Sequence, residues 1–235
     1  GFAQGNNVGI AHLLKHGCDY VMLLNDDAEV APDTIRKLVD FAESDPRIGV
    51  VGPTICYYGE PRIIWSAGGA VSAHGEPSHL DVGSDLDVAG TEPRDVDYVT
   101  GCAIMVKRAV IDTIGVLDDR FFIYFEETEW CARAHKAGFR VVHVPTSVMW
   151  HKVTPTARST SPRYLYLMSR NRLLYLKLVG AGAGAILSAG TDMLRTSLSW
   201  LLKPQHRAMR GFSLTLVRGV GAFAIGRFGP PPANL

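Results

Sequence analysis

The stretch YVMLLNDDAEV, residues 20–30, decides the fold. Tyr20–Leu24 is an unbroken apolar run, the length expected of a strand buried on both faces. It stops at Asn25, Asp26 and Asp27, where a strand of an open α/β sheet would end and where such sheets bind ligands. Carboxylates at that place suit Mg2+ or Mn2+, which bind through one or two carboxylates plus substrate phosphates. From these residues alone, an acidic solvated turn is the competing reading.

Outward from this strand, helical and extended patterns alternate. Residues 6–16 read as a short helix with Val8, Ile10, Ala11, Leu13 and Leu14 as its apolar stripe and Gly17 at its end. Pro32 opens a second helix, with Ile35, Leu38, Val39 and Ala42 on one side. Residues 48–51 form a short apolar strand closed by Gly52 and Pro53. This alternation predicts an α/β fold with a mostly parallel sheet flanked by helices. Residues 56–95 are rich in Gly, Ser, Asp and Pro and predict hairpins or a loop. Further strands are expected at 96–99, 103–106, 140–144 and 147–150, and helices at 107–114 and 126–137, the latter with Gly138 as its stop.

The chain has 235 residues and a formal net charge of +1, but the charge is unevenly divided. Residues 1–155 carry 13 Lys and Arg against 22 Asp and Glu, a net of −9. Residues 156–235 carry 11 against the single acid Asp192, a net of +10. Two parts with different neighbours are expected: a catalytic domain over 1–155 and a basic helical region over 156–235. Four cysteines without a CxxC pair or zinc spacing exclude a disulfide frame and read as buried thiols in a reducing compartment.

Three more groups of residues could carry chemistry. Glu126, Glu127 and Glu129 put three carboxylates at a helix start beside aromatics, where burial and like charge raise a carboxyl pKa toward that of a useful base. Acids at a helix N-terminus are also favourable in their own right. His151 ends a strand, as a structural residue or as one that completes a metal site. Gly5, Asn6 and Asn7 start a helix and suit either a cap or a nucleotide contact.

The order of these motifs is more telling than any one of them. GNNxG, LLNDDAEV, YVTGCAIMVKR, GVLDDRFFIYFEETEWCARAHKAGFRVVHVP and WH follow one another over about residues 1–175. In this the chain resembles the family 2 glycosyltransferases, and among them the rhamnosyltransferase-type members that build bacterial surface glycans. The resemblance implies a GT-A-like fold, a nucleotide-diphosphate sugar donor, a divalent metal (Mg2+ or Mn2+) and inversion at the anomeric carbon. It implies that Asp27 is the main metal ligand, that His151 helps hold metal and diphosphate, and that Glu127 is the catalytic base. Asn25 stands where many relatives have Asp, Glu127 where Asp is usual, and Trp130 where an aliphatic residue is common. Asn25, Asp26, Gly5, Asn7, Thr100, Gly101, Glu126, Glu129, Trp130 and Arg170 are the implied substrate-binding set. The family's opening βαβ unit has no counterpart ahead of the helix expected over residues 6–16, so the resemblance also implies an N-terminally incomplete catalytic domain.

The helical C-terminal region alternates apolar segments with Arg and Lys and lacks a span of membrane-crossing length. It predicts peripheral contact with an anionic membrane face; the competing reading is a helical subdomain packed on the catalytic part, its basic face matching the acidic one. No nucleic-acid recognition motif accompanies it, so no nucleic acid is expected as a partner. The acceptor implied is a lipid-linked or growing oligosaccharide at the cytoplasmic membrane face. A non-catalytic nucleotide-sugar or glycan binder is the alternative. The QxxRW pattern of processive polysaccharide synthases is missing.

Overall fold

Strand-forming residues and the links between them explain why the sheet is mixed. The computed structural model describes residues 1–153 and 161–235. In chain order the elements are α1 (Phe2–Lys15), β1 (Tyr20–Leu24), β2 (Ala28–Val30), α2 (Thr34–Glu43), β3 (Ile48–Tyr57), β4 (Glu60–Ser66), β5 (Gly69–Val71), β6 (Pro77–His79), β7 (Arg94–Asp95) and β8 (Ala103–Lys107). There follow α3 (Arg108–Ile114), α4 (Glu126–Lys136), β9 (Arg140–His151), α5 (Pro162–Leu178), α6 (Ala183–Leu202) and α7 (Ser213–Ala224). Short 3-10 turns at Leu86–Ala89, Asp119–Phe121 and Pro204–Phe212 join them.

The main sheet has the order β1-β8-β3-β9-β2, with β4 added to β3 and β7 to β9. β1, β3 and β9 run the same way, as the alternation of strands and helices predicts. β8, however, lies antiparallel between β1 and β3, and β2, β4 and β7 are antiparallel to their neighbours. The sheet is therefore mixed rather than mostly parallel. A parallel neighbour needs a crossover, usually a helix, and the path from β3 to β8 offers hairpins and turns instead.

β3 corrects a second expectation. It does not close at Gly52 and Pro53 but continues to Tyr57, with all ten residues buried. Pro53 cannot donate to a ladder, and the pairing with β9 slips there, from Pro53 opposite Val144 to Thr54 opposite Val148. The slip lets β9 pass its own Pro145 as one strand rather than two. Inside it, Thr54 Oγ1 lies 2.8 Å from His143 Nε2 and 3.3 Å from the Pro145 carbonyl oxygen, which it can reach as donor. Residues 96–99 are not a strand; β7 precedes them, and Tyr98 makes an isolated bridge to Gly69.

α1 begins at Phe2, earlier than its stripe suggests, and buries Ala3 and Ile10 while Val8 stays 71% exposed. α1, α3 and α4 cover one core with β1, β8 and β9 through Ile10, Val21, Ile104, Val106, Val110, Trp130 and Val141. α2 closes a second core with Leu38, Ala42, Val51 and Val142. The four cysteines are free thiols, and Cys56, Cys102 and Cys131 are buried. The expected domain boundary at residues 155–156 lies outside the described residues. Beyond it, α5 and α6 share a buried cluster with Phe121 and Phe125 through Leu173, Leu174, Tyr175 and Met193. Among the described residues no helix is long and apolar enough to cross a membrane.

Candidate active site

Three strands that point the same way bring their carboxyl ends to one edge of the sheet, and β8 starts there. Asn25, Asp26 and Asp27 follow β1, His151 ends β9, and Thr100, Gly101 and Cys102 lead into β8. The Asn25 amide donates to the Cys102 carbonyl oxygen at 3.0 Å, which ties the acidic turn to the 100–102 turn. Asp27 sits just before β2, whose Ala28 pairs with His151. The Lys152 amide donates to the Asp27 carbonyl oxygen at 2.9 Å.

This pairing brings two side chains together. His151 Nε2 lies 3.0 Å from Asp27 Oδ1 and 3.4 Å from Asn25 Nδ2. The imidazole is buried, with Trp65 edge-on at 4.7 Å, whereas the Asp27 side chain is 52% exposed and faces outward. His151 Nδ1 is buried without a hydrogen-bond partner. Adjacent ligands of an octahedral ion at about 2.1 Å lie about 3 Å apart, so Asp27 and His151 stand at a spacing one Mg2+ or Mn2+ can bridge. Among the described residues no three His, Cys, Asp or Glu side chains gather as a closed metal cage. Two protein ligands on an open face fit an ion whose remaining positions are filled by phosphate and water.

The acids of α4 divide by environment. Glu126 is buried, its Oε2 has no partner, and burial followed by the Glu127 charge holds its pKa well above the carboxylate range. Glu127 is raised by burial, partly offset by the backbone amides of Glu127, Gly101 and Thr128. The Gly101 amide thus faces the Glu127 carboxylate, so a single short turn touches both the acidic loop and this acid. A Cβ at Gly101 would stand 3.1 Å from the Phe2 ring and 3.8 Å from Glu127 Cβ, so side-chain bulk there would press on both. Glu129 is pushed up by burial and lowered by Arg133, whose Nε donates to both its oxygens at 2.8 and 2.9 Å.

Several expected ligand contacts are engaged with the protein itself. Trp130 is buried and its Nε1 donates to the Gly115 carbonyl oxygen at 2.8 Å. Glu129 is held by Arg133. Asn7 exchanges two hydrogen bonds with the Leu117 backbone at 2.8 and 3.1 Å. Gly5 lies inside α1, and a Cβ there would meet open space. Thr100 is buried and its Oγ1 accepts from the Cys102 amide at 3.4 Å. Arg170 is fully buried, donating to the carbonyl oxygens of Gly229 at 2.7 Å and Phe121 at 3.0 Å.

Arg170 and its neighbour Asn171 have a different task. Phe122, Tyr124 and Phe125 hold positive φ of 69°, 73° and 77°, sparsely populated backbone that costs non-glycine residues roughly 1–3 kcal/mol each. The two N–H groups of Asn171 Nδ2 are shared among the carbonyl oxygens of Phe121, Ile123 and Tyr124, all at 2.8–3.0 Å. Tyr164 meets Tyr124 edge-on and Tyr175 packs tilted against Phe125, with ring centroids 5.2 and 5.7 Å apart. This strained turn delivers the chain into α4, so α5 sets where Glu126 and Glu127 begin. In the sequence, Asn171 is marked together with Arg170, as a pair that recurs in the resembled family. Trp65 and Phe2, which touch His151 and Gly101, carry no local signal beyond being aromatic.

The sequence family described as Glycosyl transferase family 2 matches residues 1–115. A low-salt glycan biosynthesis hexosyltransferase of Haloferax volcanii is 27% identical over 210 residues, covering 86% of this chain and 63% of its own length. The N-acetylglucosaminyl-diphospho-decaprenol L-rhamnosyltransferase of Mycobacterium tuberculosis is 27% identical over 225 residues, covering 86% of this chain and 69% of its own. The chain thus spans about two thirds of these relatives. Among solved structures, GalNAc-T7 with UDP, GalNAc and Mn2+ superposes with a TM-score of 0.56 at 17% identity, over 93% of this chain and 42% of that one. At that identity the likeness speaks for the fold, which is GT-A-like.

Proposed function

Since residues 1–115 carry a Glycosyl transferase family 2 domain, we propose that this protein is an inverting glycosyltransferase. It moves a sugar from a nucleotide-diphosphate donor to a hydroxyl of a lipid-linked or growing cell-surface glycan at the cytoplasmic membrane face. Rhamnose is the sugar favoured by the names of its relatives. The observation that carries this reading is the convergence of Asp27 and His151 at 3.0 Å on the sheet edge, with Glu127 reached through Gly101.

Asp27 and His151 would hold a divalent metal together with the donor diphosphate, and Asn25 lies within reach of the same site. When bound, the divalent ion neutralises charge developing on the departing diphosphate. No protein acid is then needed on the leaving group. Glu127 accepts the proton of the acceptor hydroxyl as its oxygen attacks the anomeric carbon from the face opposite the diphosphate. One new C–O bond forms, the bond to the diphosphate breaks, and the anomeric configuration inverts. A glycoside hydrolase would need two carboxyl groups flanking the scissile bond.

Transfer from a nucleotide-sugar panel to a polyprenyl-linked acceptor, with and without Mn2+, tests the proposal. Metal-dependent turnover with an inverted product supports it. Donor binding without any transfer or hydrolysis by the full-length protein would make it a binding module instead.

A further inference from the structure

α6 buries one side, at Ala189, Gly190, Met193 and Ser197, and leaves leucines on the other. Leu187, Leu194, Leu198, Leu201 and Leu202 recur at intervals of three, four and seven residues, which places them in one stripe. All are exposed, Leu187 by 69%, Leu198 by 55% and Leu202 by 68%. Single exposed leucines are common, but a five-membered apolar stripe on one helix is not. The chain leaves this helix through Lys203 directly into the 3-10 turn Pro204–Phe212, which carries Arg207 and Arg210 in exposed positions.

These cations are not used to hold the C-terminal helices onto the acidic part of the protein. Among the described residues, the region's carboxylate partners are Glu76 for Arg172 at 2.7 Å and Asp192 for Arg195 at 3.7 Å. Lys203, Arg207, Arg210 and Arg218 have none within 4.0 Å. An apolar stripe that runs into unpaired positive charge, with Asp192 as the one acid after residue 155, is complementary to an anionic lipid leaflet. The helix is not apolar enough to cross the bilayer.

We infer that the outer face of α6 and the basic turn after it form a membrane-docking surface that lies in the interface of an anionic leaflet. Leu187, Leu194, Leu198 and Leu202 enter the boundary between headgroups and acyl chains, and Lys203, Arg207 and Arg210 pair with lipid phosphates. This surface does not depend on the glycosyl-transfer reading, and its test needs no activity.

Flotation of the full chain with phosphatidylcholine vesicles, with and without phosphatidylglycerol, reads the surface directly. Binding is expected only with the anionic lipid and should fall as salt rises. Arg207→Glu with Arg210→Glu should weaken it at least about tenfold, since each basic residue near such a surface is worth about a factor of five. Leu198→Asp with Leu202→Asp should abolish it while the circular dichroism melt stays unchanged. Should that pair unfold, hydrogen exchange on the unmodified chain decides: lipid should protect residues 187–210. No flotation, binding indifferent to both pairs, or no protection of this segment overturns the inference. So does loss of a lipid-free dimer in the leucine pair, which would make the stripe a contact between copies. Nucleic-acid binding lost with the arginine pair, in a protein that ignores vesicles, also overturns it.

Discussion

Asp27 and His151 come from two antiparallel strands yet meet at 3.0 Å, because Ala28 is the register partner of His151 and Asp27 is the residue before it. The pairing of β2 with β9, rather than any property of the acidic loop itself, fixes the spacing of the two groups assigned to the metal.

Asp27→Ala should therefore abolish metal-dependent turnover while leaving the fold intact. Its side chain is half exposed, so little packing is lost, but it is the near partner of the buried His151 imidazole, and leaving that nitrogen unpaired costs about 1–3 kcal/mol. Turnover assayed across a Mn2+ titration, with a thermal melt as control, checks both halves. Retained activity would remove Asp27 from the site.

Glu127→Gln should lower turnover by roughly 10²–10⁴-fold with donor affinity nearly unchanged. Because burial raises its pKa, the acid limb of the kcat/KM profile should lie above the ordinary glutamate value of 4.5. Rate is lost as pH falls through that limb, since the base must be ionised to accept a proton. A larger loss in Glu126→Gln than in Glu127→Gln would move the role to the neighbouring acid.

Asn171→Leu leaves the carbonyl oxygens of Ile123 and Tyr124 without their shared donor, while that of Phe121 keeps Arg170. Each unsatisfied buried acceptor costs about 1–3 kcal/mol, partly recovered if water enters. A fall in Tm of several degrees is expected, together with a loss of turnover larger than the stability change explains, because the turn that aims α4 relaxes. Full activity with a lowered Tm would show that the turn does not aim Glu127.

His143 supplies a pH signature of its own. Burial, followed by the charge of Arg94, lowers its pKa to about 4 from an ordinary 6.5. The unfolded chain binds the extra proton between those values, so this residue's contribution is fully present above pH 6.5 and is lost as pH falls toward 4. Buried carboxyls with raised pKa, such as Glu126, act in the opposite direction over part of that range. Comparison with His143→Gln isolates this residue's contribution, because Gln can still meet Thr54 Oγ1 but does not titrate. Denaturant unfolding should show the variant gaining about 3 kcal/mol on the parent between pH 7 and pH 4. A constant difference across that range would show that His143 titrates normally.

Much of the site's outline is legible in local sequence. Tyr20–Leu24 has the predicted bounds, and the acidic turn, the α4 acids and His151 each sit at the end of an element. What local sequence does not reveal is pairing. Gly52 and Pro53 look like a stop because a lone strand would end there; a matching irregularity at Pro145 in β9 lets both strands continue. β8 looks like any apolar strand, and its reversed direction follows from the helix-free path leading to it. Trp130 and Arg170 are informative residue types whose partners, Gly115 and the carbonyls of Phe121 and Gly229, are chosen by tertiary packing.

The grip of Asn171 on residues 121–124 bears on how this chain can be recombined. A chimera joined between β9 and α5 would look like an exchange of modules, since the charge changes sign there and the family match ends earlier, at residue 115. It would nonetheless split a working unit, because the Asn171 amide would come from one parent and the carbonyls that share it from the other. Grafts that keep residues 118–130 and 164–175 from a single parent should stay active. Crossovers that separate them should yield folded proteins with a misdirected base.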